Sequence, residues 1–347
     1  MKIFYGIQGT GNGHITRARI MARELQAANM DVTYQFTGRP QDKFFDMEVF
    51  NGYQWREGLT FSTKNGKINH LKTILRSRPL HLLRDIKQLD LSHYDLVICD
   101  YEPVTAWAAR RQNKKTIGIS HQYAFQYNIP RAGNDPLSEA VMKSFAPVDV
   151  GIGLHWHHFD QLILPPVIET TITTQQIQKN KIVVYLPFED QRRVMAFLSP
   201  FKEFEFFNYS PEITPSLSDH IHCKPLSLQG FQNDLSDCAG IICNAGFELA
   251  SESLQLGKKI LVKPVHAQME QISNALALQT LGYGKMMHKI DSEVIEQWLY
   301  ETKTIQVTYP NTARYLVQWI QSGMPPIDQS WCQKIWSDVK VLPVKCS

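Results

Sequence analysis

The chain has 347 residues, 43% hydrophobic and 20% charged, with a formal net charge of +3. That length exceeds the roughly 100–200 residues of one ordinary core, so two domains are expected, and the composition is that of an ordinary soluble protein. No signal-length apolar run precedes the first glycines, no stretch approaches the roughly 20 apolar residues that span a bilayer, and the six cysteines form no C-x-x-C pair, so a reduced, cytoplasmic protein is expected.

Residues 2–7 read as a short apolar strand. Gly9-Thr10-Gly11-Asn12-Gly13-His14 follows, then a helix on which Ile15, Ala18, Met21 and Leu25 recur at helical spacing. Further strands are expected at 31–37, 94–99, 115–120 and 148–153, with helices near 15–28, 68–90, 103–112 and 135–145. A polar stretch over 169–181 reads as a linker or exposed loop. Beyond it the alternation resumes from Lys181, with strands at 205–209, 221–224, 240–243 and 259–263 and helices at 190–198, 247–256 and 268–280. Two α/β layers follow from this pattern, with mostly parallel sheets and a ligand expected where strand carboxyl ends meet a cleft. The expected units are 1–168, 180–309 and a final segment, 310–347, with a helix near 310–321; a weaker helical signal covers 329–338.

The first glycine turn lacks both the dinucleotide fingerprint and the Gly-Lys-Ser/Thr of a phosphate loop. Gly11, Asn12 and Gly13 still open a helix whose free amides favour an anion. His14 stands at that helix entrance, where the helix dipole biases it to the neutral form that accepts a proton; a cap or turn role is the alternative. Asp100 and Glu102 follow the strand at 94–99. Asp100 reads as an orienter of His14, as a fold-stabilising group, or with Glu102 as a metal pair. His121, after the next strand, reads as an acceptor-pocket or acid–base residue. His155-Trp156-His157-His158 has no matching carboxylates and reads as a cleft or surface feature rather than a metal site.

In the second half, Asn244-Ala245-Gly246 turns from a strand into a helix carrying Phe247, Glu248 and Glu252. Glu248 and Glu252 are four apart and share a face, from which they can accept hydrogen bonds from vicinal hydroxyls. After the next strand, His266, Glu270 and Gln271 supply a second group of hydroxyl-reading side chains; capping or surface roles are the alternative for each carboxylate. Between 56 and 87, basic residues including Lys72, Arg76, Arg78 and Arg84 interleave with leucines. That segment reads as an acceptor lid, a contact with anionic membrane or acidic acceptor, or a solvated face; no nucleic-acid module accompanies it.

On these motifs the chain resembles the GT-B glycosyltransferases, in particular the UDP-dependent and lipid-intermediate N-acetylglucosaminyl transferase families. The turn ending in His14 is similar to their Gly-x-x-Gly-His element, with Asn12 where glycine is common. Residues 243–257 resemble their Gly-x-x-x-x-x-Glu donor element, which puts Gly246 at the diphosphate and Glu252 at the ribose hydroxyls; Glu270-Gln271 with Asn274-Ala275 resembles the element that reads the donor sugar. Lys258-Lys259 and Asn244 depart from the family pattern. The resemblance implies a GT-B fold of two Rossmann-like α/β domains around a cleft, with the segment 310–347 and its helix near 310–321 packing back toward the first domain. It implies inverting transfer from a nucleotide-sugar, UDP-linked by preference, with His14 as base, no metal and no cofactor, to a small-molecule, lipid-linked or glycan acceptor, in the cytoplasm or at the inner face of a membrane. A nucleotide-sugar 2-epimerase and a non-catalytic nucleotide-sugar or glycan-binding module are the rival readings.

Overall fold

The structure, a computed structural model, describes residues 1–59, 63–64, 67–68, 79–132, 136–172, 175–211, 215–216 and 218–345. β1 (Lys2–Gln8) is buried beyond its first residue, with apolar Ile3, Phe4, Tyr5 and Ile7 facing both sides, as a strand between two helical layers requires. It lies inside a seven-stranded sheet in the order β3 (Gln54–Trp55), β2 (Asp31–Thr37), β1, β6 (Leu96–Asp100), β7 (Thr116–Ser120), β8 (Val150–Leu154) and β9 (Ile163–Leu164). Every pairing in it is parallel. The second sheet is also all parallel, in the order β12 (Ile221–Lys224), β11 (Glu205–Tyr209), β10 (Gln178–Tyr185), β13 (Cys238–Cys243), β14 (Lys259–Val262) and β15 (Lys285–Met286). Parallel neighbours need long crossovers, which the intervening helices supply. The result is two Rossmann-like α/β domains.

Three stretches differ from expectation. Where the helix expected at 68–90 was to begin, β5 (Lys67–Ile68) instead pairs antiparallel with β4 (Thr63–Lys64), and the described helix is Pro79–Gln88. Pro79 takes its first position, where a missing N–H costs nothing; residues 69–78, with Lys72, Arg76 and Arg78, lie outside the described residues. β10 begins at Gln178, inside the expected linker, and its first three residues are exposed and polar. Residues 303–308 and 340–345 pair as an antiparallel ribbon, closing around the helices Thr312–Gln321 and Gln329–Trp336.

This last segment is fastened to the first domain. Asn311 Nδ2 donates to Glu24 Oε1 at 2.6 Å and Trp336 Nε1 to the Ile163 carbonyl at 2.7 Å. The main core runs without a break from Ile3 and Phe36 through Ile241 and Ala275 to Leu316 and Ile335.

Candidate active site

The first helix, Asn12–Ala27, begins earlier than its apolar spacing suggested, so Gly13 and His14 lie in its first turn. Gly13 is required by packing: a Cβ there would stand 2.9 Å from Glu248 Cγ of the second domain. Gly11 is different. It caps the helix at an ordinary φ of −108°, and a Cβ would meet nothing within 4 Å. Arg39 holds this turn, donating to the Gly9 carbonyl, to Asn12 Oδ1 at 3.0 Å and to the Thr10 carbonyl at 3.1 Å. Asn12 Nδ2 reaches Tyr185 OH of the second domain at 3.3 Å.

Asp100 ends β6 beside β1. The next residue, Tyr101, turns the chain at a left-handed φ of 51° and is held by its hydroxyl on the Met142 carbonyl. Asp100 is fully buried, and its Oδ1 lies 2.7 Å from His14 Nδ1. Arg17, three residues along the first helix, joins them: its Nε is 2.8 Å from Asp100 Oδ2, and its Nη2 is 2.6 Å from Oδ1 and 2.9 Å from His14 Nδ1. Arg17 Nη1 pairs with Glu248 Oε1 across the domain seam. Burial works to discharge Arg17, but Asp100 and Glu248 outweigh it and raise its pKa. Burial likewise opposes the charge on Asp100, which Arg17 and His14 nonetheless hold below the usual carboxylate range. Glu248 is pushed up to about 8 by burial, against the pull of Arg17, and its Oε2 is buried without a hydrogen bond. Among the described residues His14 Nε2 has no hydrogen-bond partner.

The second domain meets this group with the start of the helix Phe247–Gln255. Glu248 and Glu252 share a face, as their spacing predicts, and that face is turned onto the first helix, Glu248 to Arg17 and Glu252 toward Arg19 and Glu169. Burial raises the Glu252 carboxyl to about 7, and it makes no hydrogen bond among the described residues. Asn244 donates to the Lys263 carbonyl at 2.8 Å and leaves Oδ1 buried and unpartnered. Gly246, the helix cap, has an ordinary φ of −74° and open space where a Cβ would be. Gln271 Oε1 accepts from the Val265 amide at 2.9 Å, Glu270 Oε1 accepts from Gln122 of the first domain at 3.0 Å, and His266 is exposed.

His121 differs from the acid–base role weighed for it, because both ring nitrogens are engaged. Nδ1 meets the Leu154 carbonyl at 2.8 Å and Nε2 meets Asn274 Oδ1 at 2.6 Å. The ring also stacks on Phe247 at 4.0 Å and 3°. It fastens the two domains together. Glu102 is not one half of a metal pair: its carboxylate caps the next helix through the Val104 and Thr105 amides and accepts from Thr37. In the 155–158 histidine run, Nδ1 of His155, His157 and His158 each accepts a nearby backbone amide. No group of three metal-ligating side chains occurs among the described residues.

Helix starts separate the site from the rest of the fold. Those at Asn12, Phe247 and Met269 have no side-chain cap, whereas those at Pro103, Gln191, Leu228, Ser292, Thr312 and Gln329 are capped by Glu102, Asp190, Ser227, Asp291, Asn311 and Asp328. Bare amides at a helix start bind an anion, and two of these starts, Asn12 and Phe247, meet at the seam through Gly13 and Glu248. An open pocket of about 350 Å³ lies elsewhere, between Gln26, Tyr34, Phe50 and Tyr53 at the far end of the first helix. Sequence reasoning missed Arg17 and Arg39, and it gave Asn274 to the donor-sugar element, whereas here Asn274 meets His121 and the Ala245 carbonyl. Only the spacing of Arg17 from His14, one helical turn, was available as a signal.

A family profile described as glycosyl transferase family 1 matches residues 1–302. No curated protein matches the chain by sequence. Solved structures share its fold at low identity. The glycosyltransferase SnogD from Streptomyces nogalater is 15% identical with a TM-score of 0.55, over 97% of this chain and 99% of that one. MurG of Acinetobacter baumannii is 15% identical at 0.55, over 92% and 99%. The Streptomyces sp. SF2575 glycosyltransferase SsfS6, complexed with thymidine diphosphate, is 12% identical at 0.58, over 93% and 99%.

Proposed function

The chain belongs to glycosyl transferase family 1, and from that premise we propose that it transfers a sugar with inversion, using His14 as the base. It is a GT-B glycosyltransferase that uses a nucleotide-sugar donor. The observation that carries the mechanistic reading is the His14–Asp100 pair: Nδ1 faces a buried carboxylate while Nε2 is left without a partner among the described residues. We assign the ring proton to Nδ1, so Nε2 accepts the proton of the acceptor hydroxyl as that oxygen attacks the anomeric carbon. The donor's C–O bond to the diphosphate breaks as the new bond forms, and the departing charge falls to the uncapped amides behind Gly246.

The open space at Gly246 supports close approach of a diphosphate to the backbone. Glu252, without a hydrogen bond among the described residues, is assigned the ribose hydroxyls, and Glu270 with Gln271 the sugar, the roles the resemblance gives them. UDP is the preferred nucleotide on that resemblance; thymidine diphosphate in SsfS6 makes dTDP the competitor to test. The acceptor is a hydroxyl on a small molecule, a lipid-linked intermediate or a glycan. The exposed Leu80 and Leu83 beside Arg84 and Lys87 fit contact with an anionic membrane surface; no described helix is long and apolar enough to cross one.

A panel of UDP-, GDP- and dTDP-sugars, read by the rise in unfolding temperature, tests the donor reading. The UDP-sugars are expected to raise it most. No stabilisation by any member of the panel would overturn the donor reading, and release of an epimerised monosaccharide without acceptor would replace transfer with epimerisation.

A further inference from the structure

We propose that the open pocket at the far end of the first helix is a second ligand site, separate from the transfer chemistry, and that it takes an uncharged saccharide. The inference uses none of the roles given to His14 or to the donor-binding residues.

The pocket exists because the sheet is cut short at this edge. β2 runs from Asp31 to Thr37, but β3 pairs only with Gln35 and Phe36, so no described strand lies beside the first four residues of β2 on that side. The Phe36 carbonyl accepts from the Arg56 amide at 3.1 Å. By the alternation of a strand, Val32 turns its own amide and carbonyl the same way, into the gap. After the short turn Glu48–Phe50, Asn51 and Gly52 both take left-handed φ, 48° and 94°, which carries the chain away from the edge before Gln54 joins it. Phe50 and Tyr53 pack edge-on against Phe36, with ring centres 4.8 and 5.3 Å away, and so fix both ends of that bend. The gap is built into the packing.

The lining selects the ligand. Tyr34 is 6% exposed and its hydroxyl has no hydrogen-bond partner among the described residues. Tyr5, its register partner on β1, is fully buried with its hydroxyl likewise unpartnered. A buried hydroxyl without a protein partner calls for one from outside the chain. Around the mouth stand the side-chain amides of Gln26, Asn51 and Gln54, exposed and without hydrogen bonds among the described residues. No lysine, arginine, histidine, aspartate or glutamate belongs to the lining, so an ionised ligand would meet no counter-charge there. Amides and a phenol offer donors and acceptors together, which suits sugar hydroxyls, each of which gives and takes a hydrogen bond. A volume of about 350 Å³ is within the range of small-molecule sites. An extended peptide fits less well, because strand addition draws on a run of edge groups and this edge is closed by Gln54 after four residues. Gln26 lies twelve residues along the first helix from His14, roughly 18 Å at about 1.5 Å per residue, so a sugar held here leaves the transfer site free.

The test uses the full chain, without UDP and with UDP in excess. Maltose, cellobiose and N,N′-diacetylchitobiose, each beside its trisaccharide, are titrated by calorimetry. At least one is expected to bind, with the same affinity in both conditions. Tyr34→Phe keeps the ring and removes the hydroxyl, and it should weaken that sugar roughly threefold or more; Gln54→Ala, at the exposed rim, should weaken it as well. Tighter binding of the trisaccharide marks a unit of a longer glycan and equal binding a free sugar, and either supports the site. Absence of binding by every sugar overturns the proposal. So does binding that UDP abolishes, which would put the sugar in the donor site, or binding that both variants leave unchanged. Uptake of an extended Thr-Val peptide in place of the sugars would make the edge a strand-pairing surface and overturn the saccharide reading. If Tyr34→Phe does not fold, Gln54→Ala decides the matter.

Discussion

His14 holds Asp100 with one ring nitrogen and presents the other without a partner among the described residues. Removing the ring should leave donor binding nearly intact and slow transfer by roughly 10²-fold or more, because general-base help matters mainly in the transition state. Steady-state kinetics of His14→Ala beside nucleotide calorimetry would check both halves. Glu252 yields a prediction with a sign. Its carboxyl is raised by burial to about 7, so its contribution to stability is fully present below the unfolded value near 4.5 and is lost as pH rises through about 7. Glu252→Gln should therefore be neutral at about pH 4 and stabilising at about pH 8, by about 1 to 2 kcal/mol given the partial exposure of the side chain. The same change should weaken UDP binding at pH 8 by roughly 1.5–3 kcal/mol through loss of a charged acceptor. Calorimetric affinity equal to the parent's would remove Glu252 from the ribose. His14 and Asp100 stood out in sequence because His14 opens the helix after the first strand and Asp100 follows the strand expected at 94–99, the carboxyl ends where parallel sheets place their chemistry. Arg17 was not. Its local pattern is that of any solvated arginine, and its burial depends on a carboxylate 231 positions away.

Glycines that look alike in sequence divide into two kinds at the level of elements. Gly13→Ala should destabilise, since the new methyl would press on Glu248 at the junction of two helices. Gly11→Ala and Gly246→Ala meet open space at ordinary φ, so their unfolding temperatures should stay near the parent's while Gly246→Ala weakens nucleoside diphosphate binding. Equal affinity in Gly246→Ala would remove the diphosphate from that helix start. Lys258-Lys259, a departure from the family pattern, has a structural account. Lys258 donates to the Ser236 and Cys238 carbonyls, and Lys259 to those of Trp298, Leu299 and Glu301, so each buried ammonium satisfies the carbonyls at or just beyond a helix end. Alternating apolar runs showed the parallel strands well because each is buried on both faces. The ribbon of 303–308 with 340–345 was hidden because its pairing is long-range and its outer strand is largely exposed. The short turn of helix at His121–Gln126 is too brief to show a period.

Two parallel sheets in one chain are commonly joined by a polar, mobile interface, yet here the domains share buried aromatic packing. Phe247 of the second domain is 5% exposed and packs against His121 at 4.0 Å and Trp156 at 5.0 Å, both from the first. Trp156 Nε1 donates to Ser251 Oγ at 2.8 Å, and His121 bonds to Asn274. Since the main core also runs through both sheets, the domains should unfold together, as a single calorimetric transition whose van't Hoff and calorimetric enthalpies agree. Phe247→Ala removes the ring on which that coupling rests, at a cost of about 3–5 kcal/mol for a buried phenylalanine. The expected result is a lower unfolding temperature together with a broadened or divided transition, because the seam is weakened while most of each sheet's own core is untouched. Two separate transitions in the parent chain, with the substitution moving only one of them, would show that the domains are energetically independent and that the seam contributes nothing to their cooperation.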